Sequence, residues 1–170
     1  MAALVYHPAY DPYGSVLRSL QYLGALDSPV IGEQLRIFDF LLLFPEFISS
    51  FRLTTQLRSR LKKIEYRARF RYEERPPALR LFGEMEPSFE AALQTLKAKG
   101  LIRLADPDTE AFYLDRDTVP EPLSALAEKR SASMKSLLDY LVELNASFPF
   151  FGPNGLKARS GLLEFRYDVI

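Results

Sequence analysis

Side chains that could carry catalysis or bind a metal are sparse in this sequence. His7 is the only histidine, it stands beside Pro8 near the N-terminus, and the chain has no cysteine. A Ser–His–Asp triad needs an imidazole base held by a carboxylate, and a structural zinc site needs several imidazole or thiolate ligands. We therefore interpret His7 as a structural or exposed residue, and we expect neither an enzyme nor a bound cofactor or metal.

Two further motifs have simpler explanations than ligand binding. The run Gly152–Lys157 lacks the spacing to a closing Gly-Lys-Ser/Thr that lets backbone amides surround a phosphate. Its Asn-Gly pair predicts instead the tight turn of a hairpin. Asp106, Asp108 and Glu110 lack the glycine and distal glutamate of a calcium loop, so this acidic cluster predicts a solvated turn.

A basic segment is the clearest candidate binding site. Between Phe51 and Arg80 there are ten basic residues and three acidic ones, with Tyr66, Phe70 and Tyr72 among the arginines. Interleaved cations and aromatic rings suit a surface that follows phosphates and stacks on bases. The candidate nucleic-acid contacts are Arg58, Arg60, Lys62, Lys63, Arg67, Arg69 and Arg71.

The alternative interpretation of the same segment is a solvated charged face. The chain as a whole has no net charge, and residues 106–128 carry seven acidic residues against one basic residue. Ion pairs on the surface between the two blocks would use both charges, while the aromatic rings of the basic segment would point into the core. Both interpretations stay open at this stage.

The C-terminal segment combines several charges with aromatic residues. One interpretation is a last strand that closes a sheet, with Leu163, Phe165 and Tyr167 facing inward. The other is that this terminus docks onto another subunit. The candidate partner-binding residues are then Lys157, Arg159, Phe165, Arg166, Tyr167 and Asp168.

The elements that must position these side chains are mainly helical in the first third of the chain. Helical spacing of apolar residues, proline and capping signals predict helices that run from Asp11 to Gly24, from Ser28 to just before Pro45, and from Thr54 or Thr55 through Ile64. Residues 64–72 then alternate apolar and basic side chains, which predicts a strand with a basic face, with continued helix as the alternative.

The remaining two thirds combine helices with short strands. A helix is predicted from Pro87 to Gly100, followed by a hairpin of Leu101–Leu104 and Ala111–Leu114, an order found in winged helix-turn-helix modules. Helical sequence follows from Leu123 to Asn145, and a tight turn then leads to a final strand over Leu162–Tyr167. The predicted class is mainly α with small β hairpins, hence α+β and winged-helix-like.

This pattern divides the chain into three modules that we expect to share one compact unit. They are an N-terminal helical module with the basic segment (1–75), a winged-helix-like helix and hairpin (76–118), and a C-terminal helix, turn and strand (119–170). The longest apolar run is broken by Pro45 and Glu46, well short of the roughly 20 residues that span a bilayer. With no secretory signal at the N-terminus and no cysteine, we expect a cytoplasmic protein without a membrane segment.

Three stretches resemble a known family: YDPYGSVLRSLQYL (10–23), RIFDFLLLFPEFI (36–48) and GPNGLKARSGLLEFRYD (152–168). They are similar to middle components of bacterial ABC-three-component systems, the anti-phage operons to which Lamassu systems are related. The resemblance implies a non-catalytic accessory subunit that binds an SMC-like or ABC-type ATPase and links it to an effector, such as a nuclease. It also implies winged-helix character, and double-stranded DNA is a further candidate partner.

The competing hypothesis is an autonomous winged-helix transcriptional regulator. Its recognition helix would be Pro87–Lys99, placed in the major groove of DNA. That helix offers Gln94, Lys97 and Lys99 as polar side chains for base contacts, while Glu90 is unfavourable near phosphates.

Overall fold

The computed structural model describes residues 7–163, which form eight α-helices and a small sheet. The helices are α1 (Pro12–Ala25), α2 (Gly32–Leu43), α3 (Thr55–Leu61), α4 (Ala78–Glu84), α5 (Glu86–Ala98), α6 (Glu121–Ser133), α7 (Lys135–Ser147) and α8 (Leu156–Ser160). The strands are β1 (Val30–Ile31), β2 (Ile102–Asp106) and β3 (Ala111–Leu114). Short 3-10 helices cover Pro8–Tyr10, Pro45–Ser50, Tyr72–Glu74 and Arg116–Thr118. The predicted α+β class is confirmed.

Helix α2 forms the centre of the core. All of its residues from Leu35 to Leu43 are buried, because apolar side chains occupy most of its circumference. Helix α1 packs against it, and the ring of Tyr22 stacks on that of Phe38 at a centroid distance of 4.1 Å. As predicted, Asp11 caps α1: its carboxylate accepts a hydrogen bond of 2.9 Å from the backbone N–H of Tyr13.

The sheet has the strand order β1-β3-β2, with both pairs antiparallel. The hairpin of β2 and β3 confirms the prediction, and its register pairs Arg103 with Tyr113 before a bulge between Leu104 and Asp106. Helix α5 precedes the hairpin directly and buries Phe89 and Leu96. The winged-helix assignment itself stays a prediction.

The predicted start of the second helix was wrong. Val30 and Ile31 form a strand that pairs with Phe112 and Ala111 of β3, and α2 begins only at Gly32. Burying the β-branched Val30 beside Phe112 stabilises the extended backbone here, a contact between residues far apart in the sequence.

Three further elements differ from those predicted. Helix α4 was not predicted at all, and the helical sequence after Leu123 is two helices, because Met134 leaves the helical region with φ −128° and ψ 31°. The turn at Gly152 leads into α8 rather than a hairpin. A Cβ on Gly155 would lie 2.3 Å from the carbonyl oxygen of Phe151, so only glycine allows this close approach.

One hydrophobic cluster draws on all parts of the described chain, from Ala9 to Leu163. Leu162 and Leu163 are buried in it but lie in no strand, and the rest of the predicted final strand lies outside the described residues. Within residues 7–163 no helix combines the length and apolar character that a membrane crossing requires. The division into three modules stays a prediction.

A buried ion pair joins α1 to α2. Arg18 Nε donates to Asp39 Oδ1 at 2.7 Å, and Ser15 Oγ donates to Asp39 Oδ2 at 2.9 Å. Both charged residues are nearly inaccessible to solvent, with exposed fractions of 7% and 1%. A charge buried this deeply is stable only with its partner in place.

We therefore predict that Arg18→Met lowers the free energy of unfolding by about 3 kcal/mol or more, because Asp39 keeps its burial and loses its counter-charge. Urea unfolding monitored by circular dichroism measures this. The control is Arg80→Met, which removes an exposed pair with Glu84 and should cost less than about 0.5 kcal/mol. Equal costs for the two variants would contradict the structural role of the buried pair.

Candidate nucleic-acid interface

Helix α3 begins the basic segment, and the structure confirms the predicted cap. The Thr54 hydroxyl accepts from the backbone N–H of Leu57 at 3.2 Å, and Leu57 and Leu61 are buried. The hydroxyl of Tyr140 on α7 donates to the carbonyl of Leu57 at 3.0 Å. Burial raises the pKa of Tyr140 to about 12, so the phenol keeps the proton that it donates. Helix α3 is thereby fixed to the core with its basic side outward.

Residues 62–71, which we call the basic loop, form neither the predicted strand nor a continued helix. The end of this loop binds the carboxylate of Glu46, which has an exposed fraction of 0%. Its Oε1 accepts from the backbone N–H groups of both Arg69 and Phe70, each at 3.1 Å. Backbone donors that would serve a strand ladder bind this buried side chain instead, and charge-assisted bonds of this kind are strong.

Two side chains of the basic loop strengthen this anchor. Arg69 Nε donates to the carbonyl of Leu43 at 2.8 Å. The ring of Phe70 stacks on that of Phe44 with 5.7 Å between centroids. The loop is therefore held at Arg69 and Phe70, while the residues on either side remain at the surface.

All seven predicted nucleic-acid contacts are exposed. We call this set the basic surface: Arg58, Arg60, Lys62, Lys63, Arg67, Arg69 and Arg71. Arg58 donates to the carbonyls of Ser49 and Phe51. Within residues 7–163, the side chains of four members make no hydrogen bond or ion pair: Lys62, Lys63, Arg67 and Arg71.

The observed ion pairs of the basic segment do not follow the solvated-face interpretation, which paired it with residues 106–128. Arg60 pairs with Glu143 at 3.0 Å and Arg80 pairs with Glu84 at 2.9 Å. Of the three aromatic residues among the arginines, only Phe70 packs inward. Tyr66 and Tyr72 have exposed fractions of 37% and 79% and remain accessible for stacking.

A cleft of about 710 Å³ lies beside the basic loop. Residues 65–69 form one wall, the end of α2 with Pro45 forms another, and Met134 and Leu137 complete it near the junction of α6 and α7. Arg67 and Arg69 line this cleft together with Glu65, so its lining carries one more positive than negative charge.

The predicted partner-binding residues lie elsewhere. Lys157 on α8 forms an ion pair of 2.9 Å with Glu33, and Arg159 donates to the carbonyls of Arg52 and Asn154, each at 2.7 Å. Both therefore fasten α8 to the rest of the fold, and their role toward a partner stays a prediction. The other four lie outside the described residues: Phe165, Arg166, Tyr167 and Asp168.

His7 and the acidic turn at Asp106 each make a short-range hydrogen bond that shapes the nearby backbone. His7 Nδ1 accepts from the backbone N–H of Ala9 at 3.2 Å and caps the first 3-10 helix, in agreement with its structural interpretation. Asp106 Oδ1 accepts from the N–H of Asp108 in an exposed turn, as predicted. In the part of the chain that the structure describes, no group of three or more acidic or histidine side chains is arranged to hold a metal.

Sequence reasoning overlooked Glu46, the residue that positions the basic loop. In the sequence it figured only as an interruption of the apolar run around Phe44 and Phe47. A single carboxylate within such a run is itself a signal, because a buried charge requires hydrogen-bond donors from elsewhere in the fold.

The fold and the site together define a small helical protein whose exposed basic segment is fixed by a buried carboxylate. Residues 4–168 match the model of a protein family described as ABC-three component (ABC-3C) system Middle Component 5. The chain belongs to this family, which confirms the resemblance to a middle component of an ABC-three-component system. Neither the curated proteins nor the solved structures contain a match. The Lamassu and SMC links stay predictions.

The anchor of the basic loop leads to a prediction for Glu46. Glu46→Met should lower the free energy of unfolding by about 1–3 kcal/mol, because the backbone N–H groups of Arg69 and Phe70 lose their buried acceptor. Amide hydrogen exchange should accelerate at Arg69 and Phe70. Glu46→Gln keeps an acceptor oxygen at the same position, so the amides of Arg69 and Phe70 should stay protected from hydrogen exchange. Identical exchange in the two variants would contradict the anchoring role.

Proposed function

We propose that this chain is a non-catalytic accessory subunit of an anti-phage ABC-three-component complex. In this proposal it docks onto an SMC-like or ABC-type ATPase, links that ATPase to an effector, and contacts the backbone of double-stranded DNA through the basic surface. Family membership supports the accessory role. The observation that carries the DNA contact is the row of exposed cations without partners in the described part of the chain.

Unpaired like charges on the basic surface favour a polyanionic partner such as DNA. Lys62, Lys63, Arg67 and Arg71 repel one another in the free protein, and phosphates would neutralise them and release counterions. Arginine binds phosphate with two parallel hydrogen bonds, which suits a backbone contact that needs no base recognition. A loop held in place by Glu46 loses little conformational entropy when it binds.

The proposal of a non-catalytic role is supported by the structural contacts that the histidine and the buried carboxylates make. The single histidine caps a 3-10 helix, and the most deeply buried carboxylates serve structural contacts: Asp39 pairs with Arg18, and Glu46 anchors the basic loop. These groups stabilise the fold instead of facing a cleft.

The autonomous winged-helix regulator is the second candidate, and one observation favours it. Helix α5 is followed directly by the β2–β3 hairpin, and β1 completes a three-stranded sheet. However, Glu90 lies on the exposed side of α5, and Lys97 leans over the ring of Phe112 at 4.8 Å. The helix that would enter the groove therefore offers few free cations.

We predict that Arg67→Glu/Arg71→Glu weakens binding to duplex DNA at least about tenfold and reduces the slope of log affinity against log salt by about 2, since each lost phosphate contact contributes about 0.9. Fluorescence anisotropy with several unrelated duplexes at a series of salt concentrations measures both quantities. Sequence should matter little, because backbone contacts carry no base information.

The matched control reverses the same number of charges at the C-terminal end of α5, with Lys97→Glu in the helix and Lys99→Glu at its C-cap. This variant should retain nearly the full affinity. Loss of binding in the α5 variant alone, especially for one particular duplex sequence, would favour the winged-helix regulator. If both variants bind DNA with unchanged affinity, the basic surface is a solvated face and does not contact DNA.

Docking is tested by co-expression with the adjacent genes, followed by affinity purification and mass measurement of the intact complex. We expect a stable assembly that contains the ATPase. A monodisperse monomer that does not co-purify with the ATPase would contradict the accessory role.

A further inference from the structure

A second surface of the molecule has the opposite character to the basic surface. A cleft of about 710 Å³ lies between α5, the start of α2 and the β2–β3 hairpin. We call it the hairpin cleft. Its floor is apolar, with Phe89, Leu93 and Phe112 at the base, and Leu104 and Phe151 at its margins are exposed by 50% and 61%. Two large apolar side chains that remain accessible beside an apolar floor are typical of a protein-binding site.

Carboxylates surround the hairpin cleft on two sides. Glu90 extends from α5, and Glu110 lines the cleft from the hairpin, where Asp106 and Asp108 stand in the adjoining turn. All four are exposed. Within residues 7–163 the side chains of Glu90 and Glu110 make no ion pair or hydrogen bond. The hairpin turn is the start of the acidic segment seen in the sequence, which the basic surface does not neutralise.

The cations near the hairpin cleft are already engaged. Arg36 pairs with Glu86 and donates to the carbonyl of Phe82, while Lys157 pairs with Glu33. Lys97 lies over the ring of Phe112. Lys97 keeps its positive charge, but the two unpaired carboxylates of Glu90 and Glu110 outnumber it. The uncompensated charge at the cleft is therefore negative, which repels phosphates and attracts lysine and arginine.

We propose that the hairpin cleft binds a segment of a partner protein in which large apolar side chains alternate with or flank lysine or arginine. The apolar side chains would fill the floor between Leu93 and Leu104, and the basic ones would reach Glu90 and Glu110. Within residues 7–163 β2 is an edge strand, in the order β1-β3-β2, and its residues Ile102 and Leu104 line the cleft. An extended segment could therefore also form backbone hydrogen bonds there. This proposal deepens the proposed docking role and rests on it for the existence of a protein partner.

The experiment selects short random peptides, displayed on phage, against the folded full-length chain. We expect enriched peptides to combine large apolar residues with lysine or arginine. Leu104→Ser and Glu90→Lys should each lower the affinity of the chain for the enriched peptides, made synthetically, by about tenfold or more. The matched controls on α6, Leu126→Ser and Glu128→Lys, should leave peptide affinity unchanged, since both residues are also exposed but lie outside this cleft.

Three outcomes would overturn the proposal: no enrichment, enriched peptides that bind Leu104→Ser as well as the parent chain, or displacement of the peptide by duplex DNA. The DNA measurements on Arg67→Glu/Arg71→Glu are independent of these outcomes. A complex with the ATPase that forms normally with Leu104→Ser would place the docking surface elsewhere and leave the accessory role intact.

Discussion

The interaction on which the candidate site depends is the acceptance of two backbone N–H groups by the buried carboxylate of Glu46. A carboxyl group at 0% exposure is costly to bury without hydrogen-bond donors, and Arg69 and Phe70 provide two donors to its Oε1. The same bonds hold a stretch without regular secondary structure against α2, where Phe70 also stacks on Phe44. One buried charge thus determines where a row of exposed charges lies.

Positive and negative charges occupy separate surfaces, although the chain has no net charge. Within residues 7–163, cations without ion-pair partners lie on the basic loop, and the unpaired carboxylates of Glu90 and Glu110 lie at the hairpin cleft. No ion pair of these residues joins the two surfaces, so each surface can attract a partner of opposite charge. A middle component that connects two different kinds of molecule would benefit from such an arrangement, since the two partners would not compete for one surface.

Local signals in the sequence were sufficient where the structure depends on neighbouring residues. The caps at Asp11 and Thr54 and the β2–β3 hairpin follow from side chains within a few positions. Non-local contacts were not visible in the sequence: Val30 finds its strand partner at Phe112, and the alternation of residues 64–72 gave no indication that Glu46 would take the backbone donors. The exposure of the basic residues could be predicted, whereas the anchor that positions them could not.

In the proposed function, the basic loop lies on the DNA backbone within a complex of this chain and an ATPase. Ultraviolet cross-linking of duplex DNA to the purified complex, with mass spectrometric assignment of the linked peptides, tests it most directly. We expect cross-links within residues 62–71, at Tyr66 above all because its ring is exposed among the cations. Cross-links on α5 and the hairpin, or on the ATPase alone, would contradict it.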